Sequence, residues 1–336
     1  MLPRRDQFSG CLIGQCLGDA LGFVVEGFIP EACKRYVEDV LKTKRVGEFG
    51  RWPFPFGQYS DDSQLARELL QSYVACKKFD PADYASRLKL IFTERRIIGW
   101  GQATKEAVIR LIQGVSWEES GTPAPSAGNG SAMRAAPIGL LFFDNPKLLI
   151  QAAHDQGRIT HRDPRCSAGA VAISGAVALV LQSKPIKHNS FLHSLSDLVS
   201  EIEPYVASEL IKLIEWVSLP PHEAVTLISK AGLDPDYLDE EEWHGISPFV
   251  TGSVLWSLYS FLRTPDDYWE TICTAIIVGG DVDTTAAMAG AISGAYLGIG
   301  AIPSDLAHRI TDRGTWQFDD LVKLANQCYD IKMQDV

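Results

Sequence analysis

An all-α fold is predicted for this chain of 336 residues by three observations. Apolar residues recur at helical spacing along most of its length, alternating strand-like runs are hard to find, and two segments carry a glycine at every fourth position. The first glycine segment is Gly14, Gly18 and Gly22; the second is Gly290, Gly294 and Gly298, on a helix expected from Thr284 onward. Each spacing leaves one stripe of a helix almost without side chains. Glycine in a helix costs roughly 1 kcal/mol relative to alanine, so the expected return is close approach of another backbone. Both helices are therefore placed at the centre of a bundle.

Between these two, helical patterns follow in order. Leu65, Leu69, Leu70, Tyr73 and Val74 share one face of a helix starting just after Ser60-Asp61-Asp62, and Asp80-Pro81 reads as the start of the next. Further helices are predicted over 105–113, 147–156, 167–182, 204–217, 222–230, 252–262 and 266–278. Three loops separate them: the Pro- and aromatic-rich 50–58, the turn-prone 118–130 and the acidic 234–243. With no internal repeat and no long linker, a single compact domain over 1–336, an orthogonal helical bundle, is expected, as a monomer.

Composition narrows the function. Hydrophobic residues make up 46% and charged residues 22% of the chain, which is ordinary for a globular protein. A net charge of −11 without a basic block argues against coating nucleic acid or an anionic membrane. The apolar stretches 168–181 and 285–302 read as buried helices, the first being short for a span and the second mostly Ala and Gly. Seven scattered cysteines without CxxC spacing suggest neither a disulfide framework nor a zinc site, so a reducing, cytoplasmic compartment is expected.

The chemistry is concentrated in GGDVDTT (279–285) and QYSDDS (58–63). Each places two aspartates and a hydroxyl at a helix entrance: Asp281, Asp283 and Thr284 in one, Ser60, Asp61 and Asp62 in the other. Helix capping would explain either cluster alone, since Ser and Asp are favoured N-caps and carboxylates suit the first turn. Capping needs a single side chain, however, and each segment supplies three. Hard divalent cations bind such oxygen sets, and two helix entrances meeting face to face would hold a pair of them about 3.5–4 Å apart.

Together with GDALGFVVEG (18–27), GNGSAMRAAPIGLLF (128–142), ITH (159–161) and GGDVDTTAAMAGAISGAYLG (279–298), these motifs resemble the ADP-ribosylglycohydrolase family over nearly the whole chain. The resemblance implies the all-α orthogonal fold of that family around two Mg²⁺ or Mn²⁺ ions, with hydrolysis at the anomeric carbon of the distal ribose of ADP-ribose. It implies Ser60, Asp61, Asp62, Asp281, Asp283 and Thr284 as metal ligands; the family usually has Thr at the Ser60 position, and serine keeps the hydroxyl. Gly128, Asn129, Gly130 and Ser131 resemble the loop that holds the phosphates and ribose, with Met133 and Arg134 part of the same motif. Glycines there let a backbone approach a ligand, and N–H groups at a helix start bind anions without net positive charge. Arg134 itself is expected to pair with an acidic neighbour. His161 aligns with a histidine near the diphosphate, Glu26 with a glutamate that gates or contacts one metal in some members, and Gly99-Trp100-Gly101 with a turn near the distal ribose.

The expected mechanism orients water at the anomeric carbon, with Asp61 or Asp62 as the base and an oxocarbenium-like transition state. The expected substrate is ADP-ribosylated protein, with N-linked arginine favoured by the ITHRDP stretch and ADP-ribose as the released ligand. Linkage through serine or phosphate is an alternative, and nucleic acid is a partner only where it carries ADP-ribose. The competing classes are a two-metal nucleotide pyrophosphohydrolase and a non-catalytic, crystallin-like relative.

Overall fold

The computed structural model describes residues 2–43, 45–233 and 244–334; the acidic loop predicted at 234–243 lies outside them. The described residues form α1 (Arg5–Phe23), α2 (Pro30–Tyr36), α3 (Asp61–Cys76), α4 (Pro81–Thr93), α5 (Gln102–Ile112), α6 (Ala136–Leu141), α7 (Pro146–Arg158) and α8 (Pro164–Gln182). They continue with α9 (His188–Ser200), α10 (Pro204–Trp216), α11 (Pro221–Ile228), α12 (Val250–Arg263), α13 (Tyr268–Ile276), α14 (Val282–Leu297), α15 (Ser304–Ala307) and α16 (Phe318–Lys332). Extended backbone occurs among the described residues only as isolated bridges between loops. The all-α expectation holds, and each predicted helix has its counterpart. Five helices (α2, α6, α9, α15 and α16) were not anticipated.

The two glycine stripes pack against each other. On α1, Gly10, Gly14 and Gly18 lie against Gly294, Gly290 and Ala286 of α14, and a Cβ added at Gly14 would run into the Gly290 carbonyl. At the end of the stripe, a Cβ on Gly22 would come within 2.5 Å of the Asp283 Cα. The bare stripe thus draws the acidic start of α14 onto the end of α1. Gly298 departs from the expected pattern: it ends α14 at φ 89°, a conformation suited to glycine, while Gly10 takes the place in the stripe.

Around this pair the apolar side chains form one continuous core, from Phe8 on α1 to Cys328 on α16. Helix α8 is longer than the apolar stretch that suggested it, and its 19 residues are long and apolar enough to cross a membrane. It instead packs within the protein, against α6, α7, α9, α12 and α14, with 15 of its residues buried.

A buried polar network anchors the segment after α4. Arg67 on α3 donates to Asp312 Oδ2 at 2.7 Å, and Gln64 Nε2 donates to Asp312 Oδ1 and to the Arg96 carbonyl, both at 2.9 Å. Gln64 Oε1 accepts from Ile98 N–H at 2.9 Å. A fully buried guanidinium is tolerable because Asp312 and Glu68 share its charge. The network ties the loop 96–99 and the turn at 312 to the first turns of α3.

Candidate active site

Both acidic helix starts meet at the end of α1, and neither uses its aspartates as simple caps. No side chain caps α3 at Ser60 or α14 at Asp281. The α3 start is capped from outside its own sequence: Asp19 on α1 accepts from Ser60 N–H at 2.8 Å and from Ser63 N–H at 3.1 Å. Ser60 Oγ donates to Asp62 Oδ2 at 2.9 Å, and the Asp62 Oδ1 atom is buried without a partner. At α14, the Asp283 carboxylate accepts from Thr284 N–H at 2.9 Å, and Asp281 Oδ2 accepts from Asn129 Nδ2 at 2.5 Å.

The glycine pair before Asp281 is explained by crowding. Gly279 and Gly280 have φ of 76° and 90°, and the Gly280 peptide is held on both sides. Gly27 N–H donates to its carbonyl at 2.8 Å, its own N–H donates to Phe28 O at 3.1 Å, and Asp281 N–H donates to Ile246 O at 2.7 Å. This clamp fixes where α14 begins, and so where its carboxylates point.

Two groups of acidic side chains present ligand atoms within 4.8 Å of one another: Asp19, Asp62 and Asp283 form one, Glu26, Asp281 and Asp283 the other. Asp283 belongs to both. Burial, reinforced by the neighbouring carboxylates, holds Asp61, Asp62 and Asp283 well above the usual carboxylate range, and burial alone raises Asp281. Asp19 is pushed up to about 7, again by burial, with the α3 hydrogen bonds opposing it. Like charges about 4 Å apart repel by roughly 4 kcal/mol at an effective dielectric of 20. Such a cluster is relieved either by protons or by cations, and an orphaned carboxylate oxygen facing it fits a cation. The donor set is all oxygen, as Mg²⁺ and Mn²⁺ prefer.

Glu26 sits at the edge, one third exposed, and is held at 2.6 Å by Arg51 from the loop 50–58. Burial pushes its carboxyl up and Arg51 opposes the shift. Asp61 is buried but lies outside both groups; its N–H donates to Ile98 O at 2.8 Å. Next to it is Gly99, at φ 76°, where an added Cβ would sit 3.3 Å from Asp61 Oδ1. Trp100 is half exposed beside Phe92, and Gly101 precedes α5.

The segment 128–134 is built into the protein more deeply than a ligand loop requires. Gly128 bridges to Phe249, Asn129 N–H donates to Pro248 O, and Asn129 Nδ2 also donates to Ser253 Oγ at 2.9 Å. Asn129 therefore orients Asp281. Ser131 Oγ donates to Cys166 O, and the Met133 side chain lies in the core while its carbonyl accepts from Gln15. The Met133 side chain thus packs with the core just ahead of α6.

His161 packs directly beneath this loop. A Cβ on Gly130 would lie 2.7 Å from its Cε1, which explains the glycine. Burial pushes the imidazole down to about 3, with Arg134 adding to the effect, so it is neutral at physiological pH. Its Nδ1 lies 2.8 Å from Thr160 Oγ1, which also accepts from Arg134 Nη2 at 2.8 Å. Arg134 is fully buried, and contrary to expectation its hydrogen bonds go to neutral oxygens, Gln156 Oε1, Gln156 O and Thr160 Oγ1. It braces the segment ahead of α6 against α7 and the turn that follows it.

Two residues of the site carry no role in the sequence analysis: Asp19, within GDALG, and Arg51, in the Pro- and aromatic-rich loop 50–58. The signal for Asp19 was available: it is an ionisable residue inside a glycine stripe already assigned to the centre of the fold.

The ADP-ribosylglycohydrolase family profile matches residues 1–335, and this chain belongs to that family of glycosidic-bond hydrolases. ADP-ribosylhydrolase ARH3 of Xenopus tropicalis is 29% identical over 98% of this chain and 97% of its own length. ADP-ribosylarginine hydrolase Tri1 of Pseudomonas putida is 24% identical over 97% of this chain and 78% of its own. A solved structure named as an ADP-ribosylglycohydrolase-related protein complex superposes with a TM-score of 0.72 at 26% identity, covering 98% of this chain and 99% of that one.

Proposed function

We propose that this chain releases ADP-ribose from a modified target by hydrolysing the bond at the anomeric carbon of the distal ribose, with two divalent cations, Mg²⁺ or Mn²⁺. The observation that carries the reading is the position of Asp283 in both acidic groups, since a carboxylate within reach of both suits two cations held close together. Ser60, Asp62 and Asp283 would hold one ion; Asp281, Asp283 and Thr284 the other. Both Asp19 oxygens already accept backbone N–H groups, so Asp19 acts as the strut that fixes the α3 start. When bound, the cations supply Lewis acidity at the ribose hydroxyls and a lowered pKa for water.

The chain's own residues do the rest. Asp61, outside both groups and against the Gly99 turn, is the better placed of the two candidate bases to take the proton from the attacking water. Neighbouring carboxylates stabilise the positive charge that builds on the sugar ring. The neutral His161 and the Gly128–Ser131 segment line the position expected for the diphosphate.

N-linked arginine on protein is supported by the ITHRDP stretch and by the name of the Tri1 relative. In the structure that stretch is largely structural: Arg162 pairs with Glu119 and Asp163 caps α8. Linkage through serine, phosphate or a nucleic acid end is the second reading; Arg95, Lys105 and Arg313, gathered around one cavity, would suit its phosphate-bearing forms. Incubation with arginine-, serine- and phosphate-linked ADP-ribose in Mg²⁺ is expected to yield free ADP-ribose from at least one. AMP with ribose phosphate as the products would instead indicate a pyrophosphohydrolase, and ADP-ribose binding without turnover of any of them a non-catalytic relative.

A further inference from the structure

Arg134 is a fully buried cation whose hydrogen bonds from Nε and Nη2 all end on neutral oxygens. Among the described residues no carboxylate lies within ion-pair distance of it. Burying a charge without a counter-charge is costly, so a brace alone would be better made by an amide. A guanidinium differs from an amide in one respect: it only donates and keeps its protons at every physiological pH. Any group bonded to it must accept, and that fixes where the hydrogens of its neighbours can go.

The neighbour in question is Thr160. Its Oγ1 accepts from Arg134 Nη2 at 2.8 Å, so its single hydrogen must find another acceptor. Two are in reach. The Gly157 carbonyl is 3.4 Å away and already accepts from Thr160 N–H at 3.1 Å and from His161 N–H at 2.9 Å. His161 Nδ1 is closer, at 2.8 Å. Both lone pairs of that carbonyl are taken, so the hydroxyl donates to Nδ1. In the reverse arrangement, with Nδ1–H donating to the hydroxyl, the threonine hydrogen would be left with the saturated carbonyl alone. A neutral imidazole that accepts at Nδ1 carries its proton on Nε2.

Nε2 faces the loop of small residues above the ring. A Cβ added at Gly128 would lie 3.5 Å from it and one added at Gly130 3.3 Å, and neither position carries a side chain to cover it. Among the described residues no group bonds to this nitrogen. We propose that Arg134 and Thr160 are positioning residues that lock His161 as the Nε2–H tautomer, so that the imidazole offers a neutral N–H donor to a phosphate oxygen of ADP-ribose at the Gly128–Ser131 segment. The opposite tautomer would turn a lone pair toward that oxygen and repel it. The proposal rests on the placement of the diphosphate in the hydrolase reading and adds the relay that prepares the site for it.

The first test is spectroscopic and needs no turnover. In a long-range proton–nitrogen correlation spectrum of the full chain carrying nitrogen-labelled histidine, His161, assigned by its loss in His161→Gln, is expected to show a bare Nδ1 and a protonated Nε2 at neutral pH. Addition of ADP-ribose in Mg²⁺ is expected to shift the Nε2 signal. A proton on Nδ1, or an Nε2 signal that ADP-ribose leaves in place, overturns the proposal.

The second test asks whether the hydroxyl of Thr160 is the feature that matters. Thr160→Val keeps the shape and removes the relay, and Thr160→Ser keeps the relay and removes a methyl group. Calorimetric titration with ADP-ribose is expected to show a loss of about tenfold or more in affinity for Thr160→Val, the size of one hydrogen bond to a charged group, and parent-like affinity for Thr160→Ser. A lowered Tm with affinity retained in Thr160→Val would make the threonine purely structural and overturn the proposal, as would equal losses in both variants. Should Thr160→Val fail to fold, the spectrum of the parent chain still decides. Binding of ADP-ribose that depends on the hydroxyl, with no conjugate turned over, would sink the hydrolase reading and leave this relay standing.

Discussion

An Asp283→Asn chain is expected to lose ADP-ribosyl hydrolysis by more than about 100-fold while keeping its fold. Removing a residue that merely orients a metal ligand typically reduces affinity or activity by about 10–100-fold, and Asp283 is the carboxylate common to both acidic groups. Asparagine matches the shape of aspartate and removes one of several repelling charges, so the cation-free variant should melt no lower than the parent. The diagnostic difference is the response to Mg²⁺. A site filled at about 100 times its Kd stabilises the native state by about 2.7 kcal/mol, or roughly 5 °C in Tm for a chain of this size. Thermal melts with and without Mg²⁺ should show that rise in the parent and little of it in the variant. A full rise in the variant would show that the stabilising cation sits elsewhere.

The second large effect is on the fold. Alanine in place of Gly290 gains about 1 kcal/mol in helix propensity, yet its Cβ would collide with the Gly14 carbonyl and press on Ile272. Overpacking usually costs about 1–3 kcal/mol, and here the obstacle is backbone within a helix, which has no rotamer to move into. The clash wins: a net loss of about 2 kcal/mol, seen as a Tm lower by roughly 3–4 °C for a chain of this size, is expected for Gly290→Ala. Gly300→Ala, with nothing within 4 Å of the added carbon, is the matched control and should be neutral. Activity of Gly290→Ala should also fall below its Tm, because parting α1 from α14 moves Asp19 away from Asp283. A Tm at or above the parent value would contradict the close packing of these helices.

These two expectations rest on features that were legible to different degrees. The glycine spacing showed the central helix pair, because a repeat of four is visible without knowing the partner. The acidic helix starts were equally visible, since two like charges side by side demand a reason. Asp19 is visible only as an ionisable residue within a glycine stripe; its work, capping a helix start 41 residues away, leaves no record in local sequence. The same holds for Arg51 on Glu26 and for Asn129 on Asp281, each a pairing set by tertiary packing. Helix α16 had a readable pattern, with Leu321, Leu324, Ala325 and Cys328 buried on one face. Helix α9, rich in Ser, Asn and His, is helical because Phe191, Leu192, Leu195 and Val199 reach the core, a tertiary override of weak local propensity.

The central claim is that Asp283 is shared by two cations. The most direct measurement is an anomalous difference map from crystals grown with Mn²⁺. Two peaks, both in contact with the Asp283 carboxylate and both lost in Asp283→Asn, are predicted. A single peak, or peaks that do not touch Asp283, would contradict the account.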